Sequence, residues 1–211
     1  MHFVVTAGPT REHLDPVRFL SNPSTGRMGF AVARAAREAG HSVALVAGPV
    51  ALKTPPGVRR IDVVSARDML AAVRAEAANA DVLVMTAAVA DWRPARRAKR
   101  KLKKGEMSDT LKLVRNPDIL KSLRGAKGLV RIGFAAETGL PDAEAARKCR
   151  EKGLDLVVGN DVTRADSGFG TTTNRVSFVT PAGTVRHLPL MSKLAVARRI
   201  VAFAERIAPH G

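Results

Sequence analysis

The chain has 211 residues with a hydrophobic fraction of 45%, enough to bury a sizeable core, and no apolar run approaches the ~20 residues that span a bilayer. Its formal charge of +16 at pH 7 draws anions at long range, yet serves a nucleotide, a nucleic acid or a phosphorylated metabolite equally well. A single cysteine, Cys149, excludes an internal disulfide and fits a reducing cytoplasm, while the opening MHFVVTAG lacks the basic head and long apolar segment of a secretion signal.

Phe3 to Thr6 reads as a strand, Met28 to Glu38 as an alanine-rich helix capped by Gly40, and Ser42 to Ala47 as a second strand. Arg60 to Val64 and the helix from Ala66 to Ala78 follow, and then Asp81 to Thr86, a continuous apolar strand of the kind buried on both faces. This succession predicts an α/β fold: a Rossmann-like, doubly wound, mostly parallel sheet with helices on both faces. The next stretch is dominated by lysine and arginine. It is too poor in apolar residues and too self-repelling to join a core, so a mobile basic flap is expected at about 93–108.

Thr110 to Val114 is predicted as a short strand, and Asn116 as the cap of a helix whose second residue is Pro117. Leu129 to Phe134 resumes the sheet, Asp142 to Lys152 is helical, and Leu154 to Val158 is another strand. Arg175 to Thr180 and Thr184 to Leu188 flank a Pro-Ala-Gly turn and predict a C-terminal β-hairpin, closed by a helix from Ser192 to Ile207. Neither a repeat nor a linker marks a boundary, so 1–211 reads as a single domain.

In such sheets ligands gather beyond the carboxyl ends of the strands, which directs attention to the loops after Thr6, Ala47, Thr86, Phe134 and Val158. The connection after the first strand is several times longer than the roughly 2 to 6 residues of an ordinary βα loop. It ends in SNPSTGRMG, where hydroxyls and glycines meet a helix start, a place that favours phosphate. No GxGxxG fingerprint is present, the second strand ends without an acid to grip a ribose, and the chain has no tyrosine. A nicotinamide-dependent dehydrogenase is disfavoured on all three counts.

The segments TAGPTRE, DPVRFLSN, STGRMG, AGPV, AAVADWRP, KLKK, NPDIL and GFAAET, and the ND after the fifth sheet strand, stand in the order seen in bacterial phosphopantothenoylcysteine synthetase, the phosphopantothenate-cysteine ligase. The chain resembles that family over nearly its whole length. The resemblance implies an enzyme that uses CTP and magnesium to activate 4'-phosphopantothenate as an acyl-cytidylate, releasing pyrophosphate, after which L-cysteine attacks through its amine. Family members are often fused behind a flavin-dependent decarboxylase; this chain opens on the synthetase strand, so neither flavin nor decarboxylation is expected of it. A homodimer is implied, with the late hairpin or the flap supplied across the interface.

The resemblance also implies roles for particular residues. Lys101, first lysine of KLKK, matches the lysine that holds the triphosphate. Ala87 and Asp91 match nucleotide contacts, as do Pro117, Asp118, Ile119 and Leu120 at a helix start, Phe134 beside the cytosine, and the pair Lys148 and Lys152 on the phosphates. Read alone, Phe134 serves equally as core, Asp118 as a dipole partner, and the two lysines as a solvated face four residues apart. Asn22 matches the asparagine that steadies the acyl-cytidylate during attack by cysteine. Gly26 and Gly29 permit close backbone approach to substrate, and Arg18 and Arg11 are candidates for the pantothenate phosphate.

Thr25 and Arg27 stand where the family more often has serine and lysine, keeping the donor and the charge. Magnesium is expected to arrive on CTP, and no protein ligand is named for it; His13 has no second ligand at metal spacing. Cys149 reads as a structural thiol, Asn160 and Asp161 as substrate-positioning or turn residues, and Arg96, Arg97, Lys99 and Arg100 have no assigned role. Eukaryotic relatives favour ATP, whereas AAVADWRP and KLKK point to the CTP-using branch. A nucleic-acid-binding protein is the competing class; its aromatic stacking platforms are scarce in a chain with 4% aromatic residues. No membrane contact is expected.

Overall fold

In the computed structural model, which describes residues 1–106, 109–168 and 170–208, the elements follow in the order β1 (His2–Ala7), β2 (Arg11–His13), β3 (Phe19–Ser21), α1 (Arg27–Glu38), β4 (Ser42–Ala47), β5 (Arg59–Asp62), α2 (Ala66–Ala77), β6 (Val82–Met85) and β7 (Trp92–Pro94). They continue with β8 (Leu113–Arg115), α3 (Ile119–Ser122), β9 (Val130–Glu137), α4 (Asp142–Lys152), β10 (Leu156–Asp161), β11 (Thr173–Asn174), β12 (Val176–Val179), β13 (Val185–His187), β14 (Met191–Ser192) and α5 (Lys193–Ile207). Positions 107 and 108 of the expected basic flap lie outside the described residues.

The main sheet has eight strands in the order β13-β12-β10-β9-β6-β1-β4-β5. From β10 to β5 all neighbours are parallel, and β12 and β13 add the antiparallel hairpin at one edge. Alternation along the central strands divides the core between the two faces. Phe3, Val5 and Ala7 of β1 pack under α1 and α5, whereas Val4 joins Met69 of α2 and the buried side chains of α3 and α4 on the other face. The sheet is therefore Rossmann-like and doubly wound, with the chain reversing direction of winding between β1 and β6. No helix among the described residues is long and apolar enough to cross a membrane.

Three expectations need correction. Asn116 does not cap a helix: Asp118 caps α3 by accepting from the Lys121 N–H at 3.0 Å, and the helix starts at Ile119, two residues later than expected. The strand expected at Thr110 to Val114 is shorter and shifted: β8 starts at Leu113, ends at Arg115 and pairs with β7 in a separate ribbon. The last parallel strand runs on to Asp161, past the expected end at Val158. The long connection after β1 also holds an unexpected hairpin, β2–β3.

The position of α1 depends on Gly29. A Cβ there would lie 2.5 Å from the Ala7 Cβ, 2.5 Å from the Thr86 Oγ1 and 2.6 Å from the Thr6 carbonyl oxygen, so the helix start can lie on the β1–β6 crevice only without a side chain. Gly29→Ala is expected to cost about 1–3 kcal/mol through overpacking, read as a lower urea midpoint with an unchanged m-value.

Candidate active site

Beyond the carboxyl ends of β1, β6, β9 and β10 lies a cleft of about 570 Å³. Its floor is the segment after β6, fixed by hydrogen bonds that extend the sheet past its strands. The Thr86 hydroxyl donates to the Thr6 carbonyl at 2.6 Å, Ala87 N–H to the Thr6 hydroxyl at 3.1 Å and Ala90 N–H to the Thr10 hydroxyl at 3.0 Å. Ala88 N–H bonds the Gly8 carbonyl at 2.9 Å, and Thr10 N–H the Ala88 carbonyl at 3.3 Å. Thr6 and Thr10 are fully buried, so these polar groups find their partners only here.

The start of α1 forms one wall. Gly26, its cap, has φ of 77°, a left-handed conformation suited to glycine, and no side chain caps the helix. The first-turn N–H groups of Arg27, Met28 and Gly29 thus belong to a wall segment with a positive dipole end. The opposite wall is built by α3 and α4. Lys148 donates to the Phe134 carbonyl, and Lys152 pairs with Asp118 at 2.8 Å.

Charge in this wall is finely opposed. Burial, and then the neighbouring Lys152, push the Lys148 ammonium below the ordinary lysine range, against the pull of Asp118, Glu137 and Asp91. Burial raises Asp118, but the Lys152 ammonium and the Lys121 N–H outweigh it and hold its carboxyl low. Both lysines therefore sit close together with one committed counter-charge. An anionic ligand would relieve the repulsion between them.

Of the residues singled out from sequence, Ala87, Asp91, Pro117, Asp118, Ile119, Leu120, Phe134, Lys148 and Lys152 come together in the cleft wall with Gly26 and Gly29. Asn22 is not among the residues that line the cleft; its side-chain amide donates to the Ala88 carbonyl of the floor segment at 3.1 Å. Lys101 and Arg18 are not part of the wall. Lys101 is exposed on the basic segment, and the Arg18 guanidinium donates to Asp15 at 2.7 Å and to the Leu102 carbonyl at 2.7 Å. Arg11 lies over the Phe19 ring, 4.5 Å from its centroid. Asn160 lines the cleft, whereas Asp161 accepts from Gly139 and Thr163 and holds a turn. Cys149 is buried away from the cleft, its thiol pushed up to about 11 first by burial and then by Asp155.

Several wall residues escaped the sequence reading. Asn116 ties the floor by donating to the Ala90 carbonyl at 2.8 Å and, through its backbone, to the Asp91 carbonyl at 2.8 Å. Arg115 lies over Trp92, 4.8 Å from the ring centroid. Lys193, first residue of α5, and Asn174 are buried in the wall. The Asn116-Pro117 pair carried a signal, misread as a cap; a lysine opening a helix carried none. Among the described residues no group of three or more His, Cys, Asp or Glu is placed to hold a metal ion.

The buried Asp15 ties the connection between β2 and β3 to the basic segment. Burial raises its pKa, but the N–H groups of Val17, Arg18 and Leu102 and the Arg18 guanidinium together hold the carboxyl well below the usual range. A depressed folded pKa stabilises the fold above the ordinary carboxylate value near 4 and loses that stabilisation as pH falls toward the folded value. Asp15→Asn should therefore lower the urea midpoint at pH 7, and the gap to the parent chain should narrow steadily below about pH 4.

A family model described as the DNA/pantothenate metabolism flavoprotein C-terminal domain matches residues 1–207. The coenzyme A biosynthesis bifunctional protein CoaBC of Vibrio vulnificus (strain YJ016) is 44% identical over 211 residues, covering 98% of this chain and 52% of that protein. CoaBC of Bacillus subtilis (strain 168) is 46% identical over 202 residues, covering 95% and 50%. The chain spans about half the length of these relatives. A crystal structure of the C-terminal domain of CoaBC superposes with a TM-score of 0.83 at 41% identity, covering 98% of this chain and 94% of that one. A mutant of Cab2 in complex with phosphopantothenate-cysteine shares the fold, with a TM-score of 0.77 at 17% identity, covering 97% and 86%.

Proposed function

The chain belongs to the DNA/pantothenate metabolism flavoprotein C-terminal domain family, and we propose that it joins 4'-phosphopantothenate to L-cysteine at the expense of CTP. The observation that carries this reading is the convergence of Ala87, Asp91, Pro117–Leu120, Phe134, Lys148 and Lys152 on one cleft with the uncapped start of α1. The relatives' naming for coenzyme A biosynthesis, and the phosphopantothenate-cysteine held by Cab2, support the same choice.

In the first half-reaction a carboxylate oxygen of 4'-phosphopantothenate attacks the α-phosphorus of CTP, and pyrophosphate leaves. Two anions must meet, so positive charge has to offset their repulsion. Lys148 and Lys152 supply it from α4, and Asp91 offers an acceptor to ribose or base hydroxyl and amine groups. Phe134, whose carbonyl accepts from Lys148, presents its ring beside the base, and the segment 87–91 lets the ligand approach closely because the alanines there are small. Magnesium, carried by the triphosphate, neutralises further charge when bound. In the second half-reaction the cysteine nitrogen attacks the acyl carbon, CMP departs, and the amine gives up a proton. Asn22, fixed against Ala88 through its NH₂, keeps its amide oxygen available to accept from the incoming amine.

Lys101 lies outside the wall of its own chain's cleft, and Arg18 is tied beside it through Leu102. In a homodimer the basic segment can serve the partner's cleft, closing over bound CTP and excluding water from the anhydride.

The reading is tested by mixing the chain with 4'-phosphopantothenate, cysteine, magnesium and either CTP or ATP. Pyrophosphate release that requires all components and prefers CTP is expected; no release with either nucleotide rejects it. Lys148→Met should lower kcat/KM for CTP about 100-fold. Asn22→Asp should still consume CTP and accumulate acyl-cytidylate, visible by rapid quench, while product formation slows; equal loss of both steps rejects the role given to Asn22.

A further inference from the structure

Lys193 is 7% exposed, opens α5 and lines the cleft. Its ammonium donates to the Gly168 carbonyl at 2.7 Å and the Thr171 hydroxyl at 3.4 Å, both uncharged acceptors. Arg27, which opens α1, lines the same end of the cleft. Among the described residues no carboxylate pairs with either cation; Asp118, on the far wall, is committed to Lys152. Burial first, and then Arg27, push the Lys193 ammonium down to about 8.

Among protein groups alone the charges of this arrangement are uncompensated. A buried ammonium lacks a counter-charge, two cations act on one another, and each occupies the first position of its helix, where the dipole is already positive. Neither helix has an acid in its first turn to soften this. We propose that Arg27 and Lys193, with the first-turn N–H groups of α1, form a phosphoryl-binding subsite at the α1/α5 end of the cleft, opposite Lys148 and Lys152. Two cations and a helix dipole balance a phosphoryl dianion; a single carboxylate would leave charge uncompensated. Because Lys193 also holds the Gly168 carbonyl and the Thr171 hydroxyl, occupancy reports to those two residues.

Under the ligase reading, on which its ligand depends, the subsite takes either the β- and γ-phosphates that leave as pyrophosphate or the phosphate ester of 4'-phosphopantothenate. The two sources share one chemistry. Calorimetric titration of the full chain with inorganic pyrophosphate and, separately, with 4'-phosphopantothenate distinguishes them. Arg27→Met and Lys193→Met should each weaken one of these ligands about tenfold or more, and Lys193→Arg should recover part of the loss. Weakening confined to pyrophosphate assigns the nucleotide phosphates; weakening confined to 4'-phosphopantothenate assigns the ester.

Unchanged affinity for both ligands in both methionine variants overturns the subsite. If Lys193→Met fails to fold, Arg27→Met, at an exposed position, decides alone by the same criterion. The titrations need no turnover. A chain whose pyrophosphate affinity depends on Arg27 and Lys193 but which releases none in the ligase assay sinks the ligase reading and keeps the subsite; an active ligase with unaltered affinities does the reverse.

Discussion

Two buried threonines set the geometry on which everything else depends. Where β1 and β6 end, their ladder would stop and leave N–H and C=O groups stranded beneath the cleft. Thr6 and Thr10 prevent this by accepting from Ala87 and Ala90, while Thr86 donates back to Thr6. The two loops thus continue as a hydrogen-bonded sheet of side chains and backbone. A floor so fixed keeps its path beneath the cleft, because the N–H groups of Ala87, Ala88 and Ala90 are satisfied within the protein and have few alternative conformations in which to be so. The same crevice admits α1 only because Gly29 has no side chain, so the site and the helix packing share one constraint.

On this floor the cations are arranged in two sets, and they differ in how their charge is compensated. Lys152 has Asp118, which also caps α3, so one carboxylate orders a helix start and a lysine together. Lys148 leans on a carbonyl, and Lys193 on a carbonyl and a hydroxyl. Neutral acceptors position an ammonium without cancelling its charge. The cleft is therefore pre-organised for anions: side chains already desolvated and oriented need little reorganisation when negative charge arrives.

The sheet was legible because runs such as Phe3–Thr6 and Asp81–Thr86 are apolar on both faces and short, which few arrangements other than a central parallel strand explain. Its functional edge followed from topology, and the family motifs then named most of the residues that line it. What remained hidden was decided by tertiary hydrogen bonds. Asn116 before Pro117 satisfies local rules for a helix cap, but the carbonyls of Ala90 and Asp91 draw it away and leave the cap to Asp118. β2 and β3 are three residues each, too short for periodicity to register. Lys193 has the look of any polar residue opening an amphipathic helix; its burial goes with long-range contacts to Gly168, Thr171 and Thr172 that local sequence does not show.

The basic segment shows why composition alone misjudges a charged stretch. Its charge density predicts a solvated flap, yet it is not free throughout: Ala98 N–H bonds the Leu14 carbonyl at 2.8 Å, and Leu102 is gripped from both sides, its N–H by Asp15 and its carbonyl by Arg18. Both grips are side-chain contacts to the Leu102 backbone, which fix the path of the chain there. Asp15 is shielded from solvent and keeps its charge because its hydrogen bonds outweigh the penalty of burial, so the anchor is strong at neutral pH.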